Sequence, residues 1–192
     1  MADIPSHHLI YGTLIDFVTG DEIVDTDDER IRQGLARFLV ENKNYDRGDL
    51  EVRRRIETLF AKQYVVSTID IVIREGDRRF LVIRYGPGSL VTRERPAIAA
   101  ARVLEESYQI PLAVVTNGKD AELIDTRSGK VIDQGLDSIP AKEDAAALVR
   151  QLRFLPIENE KRKDAELRIL NAYDVEVCCA GDTCPLPGAR EG

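Results

Sequence analysis

The chain has 192 residues, of which 43% are apolar and 32% are charged, enough for the core of one domain with a well-solvated surface. No apolar run approaches the roughly 20 residues that a membrane-spanning helix needs. The start of the chain lacks the basic residues and the apolar stretch of a signal peptide, so we expect a cytoplasmic protein. The net charge of -7 counts against nucleic-acid binding by the surface as a whole, because phosphate binding needs local positive charge.

The first predicted elements are a β-hairpin and a helix. Residues 14–18 and 22–24 are rich in apolar residues and flank Thr19-Gly20-Asp21, a turn that contains glycine. The acidic run at residues 25–29 supplies capping oxygens and negative charge for the first turn of a helix. Apolar residues at spacings of three and four between Ile31 and Leu39 predict its buried face, and we expect the helix to end near residues 42–44.

The middle of the chain is predicted to form the main sheet. Three extended segments rich in β-branched residues lie at about residues 50–57, 65–74 and 79–85. An alanine-rich helix is predicted from Pro96 to Tyr108, with the proline near its first turn. Three shorter strands are predicted at residues 111–116, 121–125 and 130–132.

Two helices and an irregular tail are predicted for the rest of the chain. The helices lie at residues 141–152 and 158–173, and the glycines and prolines beyond Asp174 argue against a regular element there. The order of elements predicts an α/β fold, a mixed β-sheet flanked by helices. We expect a domain of residues 1–155, followed at 156–192 by a charged C-terminal helix and a tail that contains cysteines.

Four stretches carry a resemblance to a known family. They are residues 25–33, which contain Glu29, the strand Ile69–Ile73 with Asp70, the strand Phe80–Arg84, and residues 110–118, which precede a strand and a Ser128-Gly129-Lys130 turn. In this order and spacing they resemble the N-terminal domain of the R subunit of type I restriction enzymes. That family has the fold of the PD-(D/E)xK nucleases, so the resemblance, over roughly residues 10–150, implies a restriction-endonuclease-like sheet.

The resemblance also implies where a nuclease site would lie. Such enzymes hold a divalent cation between an Asp on one strand and an acidic residue on the next, where a Lys follows two positions later on the same face. Here Asp70 matches the first Asp, and Glu29 matches an accessory carboxylate on the first helix. Simpler roles stay open for both residues. Asp70 could be the polar end of a strand or an acceptor for a neighbouring Arg, and Glu29 could be a negative charge that stabilises the helix dipole.

The pattern fails on the strand after Asp70 and on the alanine-rich helix. If Arg84 takes the place of the Lys, the acidic residue two positions earlier is replaced by Val82. If Arg84 instead takes the acidic position, the Lys is replaced by Gly86. Neither alignment supplies a second carboxylate. Arg84 keeps a cation there but cannot act as a base. On the helix, Ala100 and Leu104 stand where related nucleases often carry Gln and Tyr. This joint loss predicts a retired site in which Asp70, Glu29 and Arg84 are vestigial and no cofactor binds; Mg²⁺ is expected only if the site is active.

The distribution of charge offers a second candidate site. Basic residues outnumber acidic ones between Arg47 and Arg102, whereas both flanks of this segment are acidic. Six arginines in the segment are candidates for contact with nucleic-acid phosphates: Arg53, Arg55, Arg84, Arg93, Arg95 and Arg102. The alternative is that they pair with the acidic flanks inside the same protein.

The cysteines offer a weaker metal site. Cys178, Cys179 and Cys184 lie within seven residues of the tail and could hold Zn²⁺ with His7 or His8. Their spacing is not that of the usual paired C-x-x-C ligands, and reduced thiols on a tail are the simpler interpretation.

Three functions are therefore compared. The first is a catalytically degenerate nuclease-like domain that binds nucleic acid or a partner. The second is an active metal-dependent DNA nuclease that uses Asp70 and Glu29, and the third is a protein-interaction domain with no nucleic-acid role. Expected partners are DNA or another protein of a restriction or DNA-processing system, with no membrane. No P-loop is present, so a motor function is not expected from this chain.

Overall fold

A computed structural model describes residues 10–60 and 63–178 of the protein. The strands are β1 (Ile10–Ile15), β2 (Glu22–Thr26), β3 (Leu50–Phe60), β4 (Gln63–Glu75), β5 (Arg78–Tyr85), β6 (Leu112–Thr116), β7 (Ala121–Asp125) and β8 (Lys130–Gln134). The helices are α1 (Asp27–Glu41), α2 (Val91–Val103), α3 (Lys142–Gln151) and α4 (Glu160–Cys178), with short 3₁₀ helices at Arg47–Asp49 and Leu136–Ser138.

The predicted hairpin and first helix are present, with a shifted first strand. Strands β1 and β2 pair antiparallel in a sheet of their own. Strand β1 ends at Ile15 because the Asp16 carboxylate accepts the N–H groups of Val18 and Thr19, at 2.9 and 2.7 Å, and turns the chain. Thr26 caps α1, since its hydroxyl accepts the N–H of Glu29 at 3.1 Å.

The main sheet has six strands in the order β3-β4-β5-β6-β7-β8. All neighbours are antiparallel except β5 and β6, which are parallel and joined through α2. Strands β4 and β5 lie inside the sheet, and Ile71, Val72 and Ile73 are at most 1% exposed. The expected mixed sheet flanked by helices is therefore confirmed.

Helices cover both faces of this sheet. On one face, Leu35 and Leu39 of α1 and Ala145 of α3 pack with Ile71 and Ile83. On the other, the alanines of α2 and Leu170 of α4 pack with Val72 and Val82. The face under α1 is called the α1 face below, and the opposite one the α4 face.

Helix α2 begins at Val91 rather than at Pro96, which lies inside the helix. A proline has no N–H to donate to the carbonyl four residues earlier, here that of Thr92. The hydroxyl of Tyr173 on α4 donates to this carbonyl instead. A packed helix therefore replaces the hydrogen bond that Pro96 removes.

Helix α4 runs to Cys178, so the expectation of irregular chain from Asp174 is wrong for residues 174–178. The rest of the predicted tail lies outside the described residues. Leu170 and Glu166 of α4 are fully or almost fully buried, so the helix packs closely on the sheet and α2. A boundary at residue 155 stays a prediction. No helix in the described part of the chain is long and apolar enough to cross a membrane.

Candidate functional site

Three carboxylates converge at one end of α1. Asp70 comes from β4, Glu29 from the first turn of α1 and Asp16 from the loop after β1, and their residues are 4%, 7% and 2% exposed. They line one pocket together with Arg32 and Arg53. The structure thus brings Asp70 and Glu29 together and adds Asp16, which the sequence did not single out.

Both oxygens of Asp70 are engaged by the protein. Arg32 donates through Nε to Asp70 Oδ1, and the backbone N–H of Tyr85 donates to Oδ2 at 2.7 Å. Burial would lower the pKa of Arg32, but the charge and hydrogen bond of Asp70 raise it above its usual value. Arg32 is therefore a permanent cation, and Asp70 serves as an acceptor for a neighbouring Arg.

Asp16 and Glu29 are held by a second cation and an amide. Arg53 Nη1 lies 2.6 Å from Asp16 Oδ2 and 3.5 Å from Glu29 Oε1. Gln33 donates from Nε2 to both carboxylates, at 2.8 and 2.9 Å. Burial would raise the pKa of Asp16, but hydrogen bonds from Arg53, the Thr19 N–H and Gln33 outweigh it and lower the pKa to about 2. Asp16 is thus ionised at neutral pH.

Arg53 reaches this pocket through a distorted backbone. Its φ is +52°, a left-handed conformation that costs a residue with a side chain roughly 1–3 kcal/mol. The paired residues Val52↔Ile71 and Arg54↔Ile69 flank it, so Arg53 lies opposite Asp70 at a break in regular pairing. The strain is tolerated where the guanidinium meets two buried carboxylates.

Strand β5 presents an unexpected pair of residues to the α1 face. Ile83 packs on the α1 face, and the Tyr85 hydroxyl donates to Asp28 of α1 at 3.2 Å. Arg84 lies between them and points the other way, with Nη2 at 2.9 Å from Asp174 of α4. The two positions that share the face of Asp70 are therefore Ile83 and Tyr85, rather than a pair built on Arg84. Burial, followed by the charge of Asp28, raises the pKa of Tyr85 to about 12, so it remains a neutral phenol.

These residues do not fit a divalent cation of the nuclease type. Mg²⁺ prefers several oxygen ligands in octahedral geometry. The oxygens of Asp70 are taken by Arg32 and Tyr85, β5 contributes no carboxylate, and no lysine lines the pocket. Within residues 10–60 and 63–178, no group of three or more His, Cys, Asp or Glu side chains has an arrangement that could hold a metal ion.

The alanine-rich helix does not face this pocket. Ala100 is fully buried in the cluster on the α4 face, and Leu104 packs at its edge. Small apolar residues suit a helix that lies between a sheet and a second helix. The absence of Gln and Tyr at these positions is thus explained by packing under α4.

Most of the six arginines proposed for phosphate contact make internal contacts. Arg102 is 6% exposed and pairs with Glu166 at 2.6 Å, and Arg95 lies 3.5 Å from the same carboxylate. Arg53 and Arg84 pair with Asp16 and Asp174 as described above. The remaining two differ: Arg93 stacks 5.5 Å from the Tyr173 ring centroid, and Arg55 is exposed on β3. The acidic flanks thus neutralise much of the basic segment.

The cysteine prediction stays untested. Cys178 is the last residue of α4, and Cys179, Cys184, His7 and His8 lie outside the described residues.

Sequence reasoning missed three polar residues that line the pocket, Asp16, Arg32 and Gln33, and it missed Tyr85, whose backbone N–H binds Asp70. Arg32 and Gln33 belong to the first stretch that carries the resemblance, and Glu29 and Gln33 are spaced to share a helix face. That spacing was the available signal. Asp16 joins the pocket through a loop whose path only the tertiary structure reveals.

Comparison with known protein families identifies a match over more than half of the chain. The family model described as type I restriction enzyme R protein N terminus (HSDR_N) matches residues 27–140, from α1 to the end of the segment after β8. Neither the curated proteins nor the solved structures contain a match to the chain. Within the pocket, the matched range includes Glu29, Arg32, Arg53 and Asp70; Asp16 and all of α4 lie outside it.

Proposed function

Because this chain belongs to the type I restriction enzyme R protein N-terminus family, we propose that it is a nuclease-like domain that binds DNA or a partner in a restriction-related system without cutting DNA. In this proposal the domain keeps the nuclease-like fold but has lost the ability to cut DNA. The family supports the restriction-related role, and the contacts in the pocket support the loss of nuclease activity.

The observation that carries this proposal is the position of Arg32. Its guanidinium bonds to Asp70 and lies 3.4 Å from Glu29, so it bridges the two carboxylates that a metal would share in a nuclease. An arginine neutralises these charges but cannot activate a water molecule, because its pKa is too high for it to act as a base. Asp70 and Glu29 then serve to position Arg32 and to stabilise the domain.

Strand β5 supports the same proposal independently. A nuclease of this class needs an acidic residue and a Lys on the strand next to the Asp. The positions on that face carry Ile83, which is fully buried, and Tyr85, whose hydroxyl is bound to Asp28. Neither side chain binds a cation as a charged oxygen ligand or supplies a mobile proton at neutral pH.

A second candidate function is an active metal-dependent nuclease, and the convergence of carboxylates favours it. Asp16, Glu29 and Asp70 lie around one pocket, and Arg32 is 28% exposed at its rim. A swing of Arg32 into solvent would leave three carboxylates for a cation. In this function Arg32 is a gate, and Asp16 supplies the acid that β5 lacks.

Nicking of supercoiled plasmid separates the two functions. Wild type, Asp70→Asn and Arg32→Ala are incubated with plasmid in Mg²⁺ and separately in Mn²⁺. We expect wild type and Asp70→Asn to give the same background level of nicked plasmid. Metal-dependent nicking by wild type that Asp70→Asn abolishes would overturn the proposal in favour of the active nuclease. Nicking that appears only in Arg32→Ala would support Arg32 as the group that blocks the site.

A further inference from the structure

Two arginines beside the pocket differ from the six that the sequence put forward. Arg37 on α1 and Arg47 in the 3₁₀ helix before β3 are both exposed. Neither forms an ion pair with another residue of the described part of the chain, whereas Arg32 and Arg53 in the pocket are neutralised by buried carboxylates. Their positive charges are therefore available to a partner.

One aromatic ring holds both of these side chains. The guanidinium carbon of Arg37 lies 4.5 Å from the centroid of the Phe17 ring, and that of Arg47 lies 4.1 Å from it. Cation–π contacts of this kind fix a long side chain without using its N–H groups. Because both guanidinium groups contact one ring, they lie near each other, and their contacts with the ring reduce the entropy that they would lose on binding.

The ring itself is positioned by the pocket. The backbone N–H of Phe17 donates to Gln33 Oε1 at 2.7 Å, and Gln33 holds Asp16 and Glu29 through its amide nitrogen. The buried carboxylates therefore orient the loop that carries Phe17. This gives the polar network a use that needs no metal: it supports a surface at the rim of the pocket.

We propose that Arg37, Phe17 and Arg47 form a phosphate clamp that holds the backbone of a nucleic-acid duplex. Arginine binds phosphate through two parallel hydrogen bonds, and two neighbouring guanidinium groups suit two phosphates of one strand. The clamp rests on the proposed function, since it names the partner of a domain that binds without cutting. It assigns contact to residues that the sequence had not selected.

The geometry favours a duplex over a single strand. Proteins that bind single strands usually offer free aromatic faces on which bases stack. The Phe17 ring already stacks with two guanidinium groups, so the surface around it suits phosphates better than bases. Contacts of this kind position a duplex and do not read its sequence.

The chain offers a matched control in Arg78. It is also exposed and also stacks on aromatic rings, 5.4 Å from the centroid of Tyr108 and 5.1 Å from that of Phe154. It lies in β5 at the end remote from Tyr85, and it is a single guanidinium rather than one of a pair. Arg78→Ala thus removes the same charge and the same type of contact elsewhere.

The test is fluorescence anisotropy of a labelled duplex of mixed sequence across a range of salt concentrations. Arg37→Ala and Arg47→Ala should each make the slope of log affinity against log salt shallower by about 0.9, the loss of one phosphate contact, and weaken binding roughly tenfold at 0.1 M salt. Phe17→Leu keeps both charges, so it should weaken binding with little change in slope. Arg78→Ala should bind as wild type does, and circular dichroism checks that each variant is folded.

Other outcomes would overturn the clamp. They are an unchanged slope in both Arg37→Ala and Arg47→Ala, an equal loss in Arg78→Ala, or tighter binding to a single strand of the same sequence than to the duplex. These results would not overturn the proposal that the domain does not cut DNA, because plasmid nicking tests cleavage separately. Metal-dependent nicking would overturn the proposed function even if the clamp residues bind DNA as expected.

Discussion

Replacement of Arg32 by alanine should strongly destabilise the domain. The change leaves Asp70 Oδ1 without its donor in a residue that is 4% exposed, and it leaves Arg53 as the cation for three buried carboxylates. Removal of one partner from a buried ion pair costs about 3–5 kcal/mol. Because the Arg32 side chain is 28% exposed, water can replace part of the lost contact, and we expect about 3 kcal/mol.

Urea unfolding followed by circular dichroism measures this loss. With a slope of about 2 kcal/mol per molar urea, the midpoint for Arg32→Ala should fall by about 1.5 M. Arg30→Ala is the matched control on the same helix, since Arg30 pairs with Asp25 at the surface and should change little. Asp70→Asn should cost less than Arg32→Ala, because Arg32 keeps Glu29 and access to water. A midpoint for Arg32→Ala within error of that for Arg30→Ala would refute the role assigned to the Arg32–Asp70 pair.

Three further predictions concern other contacts. The pKa of Asp16 is lowered to about 2, so the ionised side chain stabilises the fold fully above pH 3.8, its ordinary pKa, and this stabilisation is lost as the pH falls towards 2. The free energy of unfolding of Asp16→Asn should therefore depend less on pH in that window than that of wild type. In urea unfolding, Arg102→Ala should cost about 3–5 kcal/mol, because Arg102 and Glu166 form a buried pair. Arg95 is half exposed beside the same Glu166, so Arg95→Ala should cost less than about 1 kcal/mol. Equal losses in the two variants would count against a buried pair. A chain that ends at residue 155 should be insoluble or lack a cooperative thermal transition, because it exposes the alanine face of α2 that Leu170 covers; a cooperative transition would support a boundary there.

Local signals in the sequence were sufficient for most of the fold. Thr26 and the acidic residues after it mark the start of α1, and the β-branched runs around Val72 and Val82 mark buried strands. Such signals depend only on near neighbours in the chain. They therefore predicted the order of elements and the mixed sheet.

The error at Arg84 has a physical cause in strand β4. Strands β4 and β5 pair Ile71 with Ile83 and Val72 with Val82, so Asp70 would be opposite Arg84 if this pairing continued. With regular alternation of side chains, Asp70 and Arg84 would then lie on the same face of the sheet. The irregularity at Arg53 breaks that alternation: Ile69 packs on the α4 face, Ile71 packs on the α1 face, and Asp70 turns to Arg32. The alternating pattern of residues in the sequence of a strand does not show where such a break occurs.

Contacts between distant segments were the other part that could not be predicted. Asp174 and Arg84 are 90 residues apart, and Glu166 and Arg102 are 64 apart. The sequence showed that acidic flanks could neutralise a basic segment, but it could not show which residues pair. Arg37 and Arg47 stood out only when the structure placed both on Phe17.

Isothermal titration of Mg²⁺ and Mn²⁺ into wild type and Asp70→Asn at low ionic strength tests the central claim most directly. If Arg32 and Tyr85 occupy the oxygens of Asp70, neither protein should bind either ion with a submillimolar dissociation constant. Submillimolar binding by wild type that is lost in Asp70→Asn would contradict the account and show that the pocket is a working metal site.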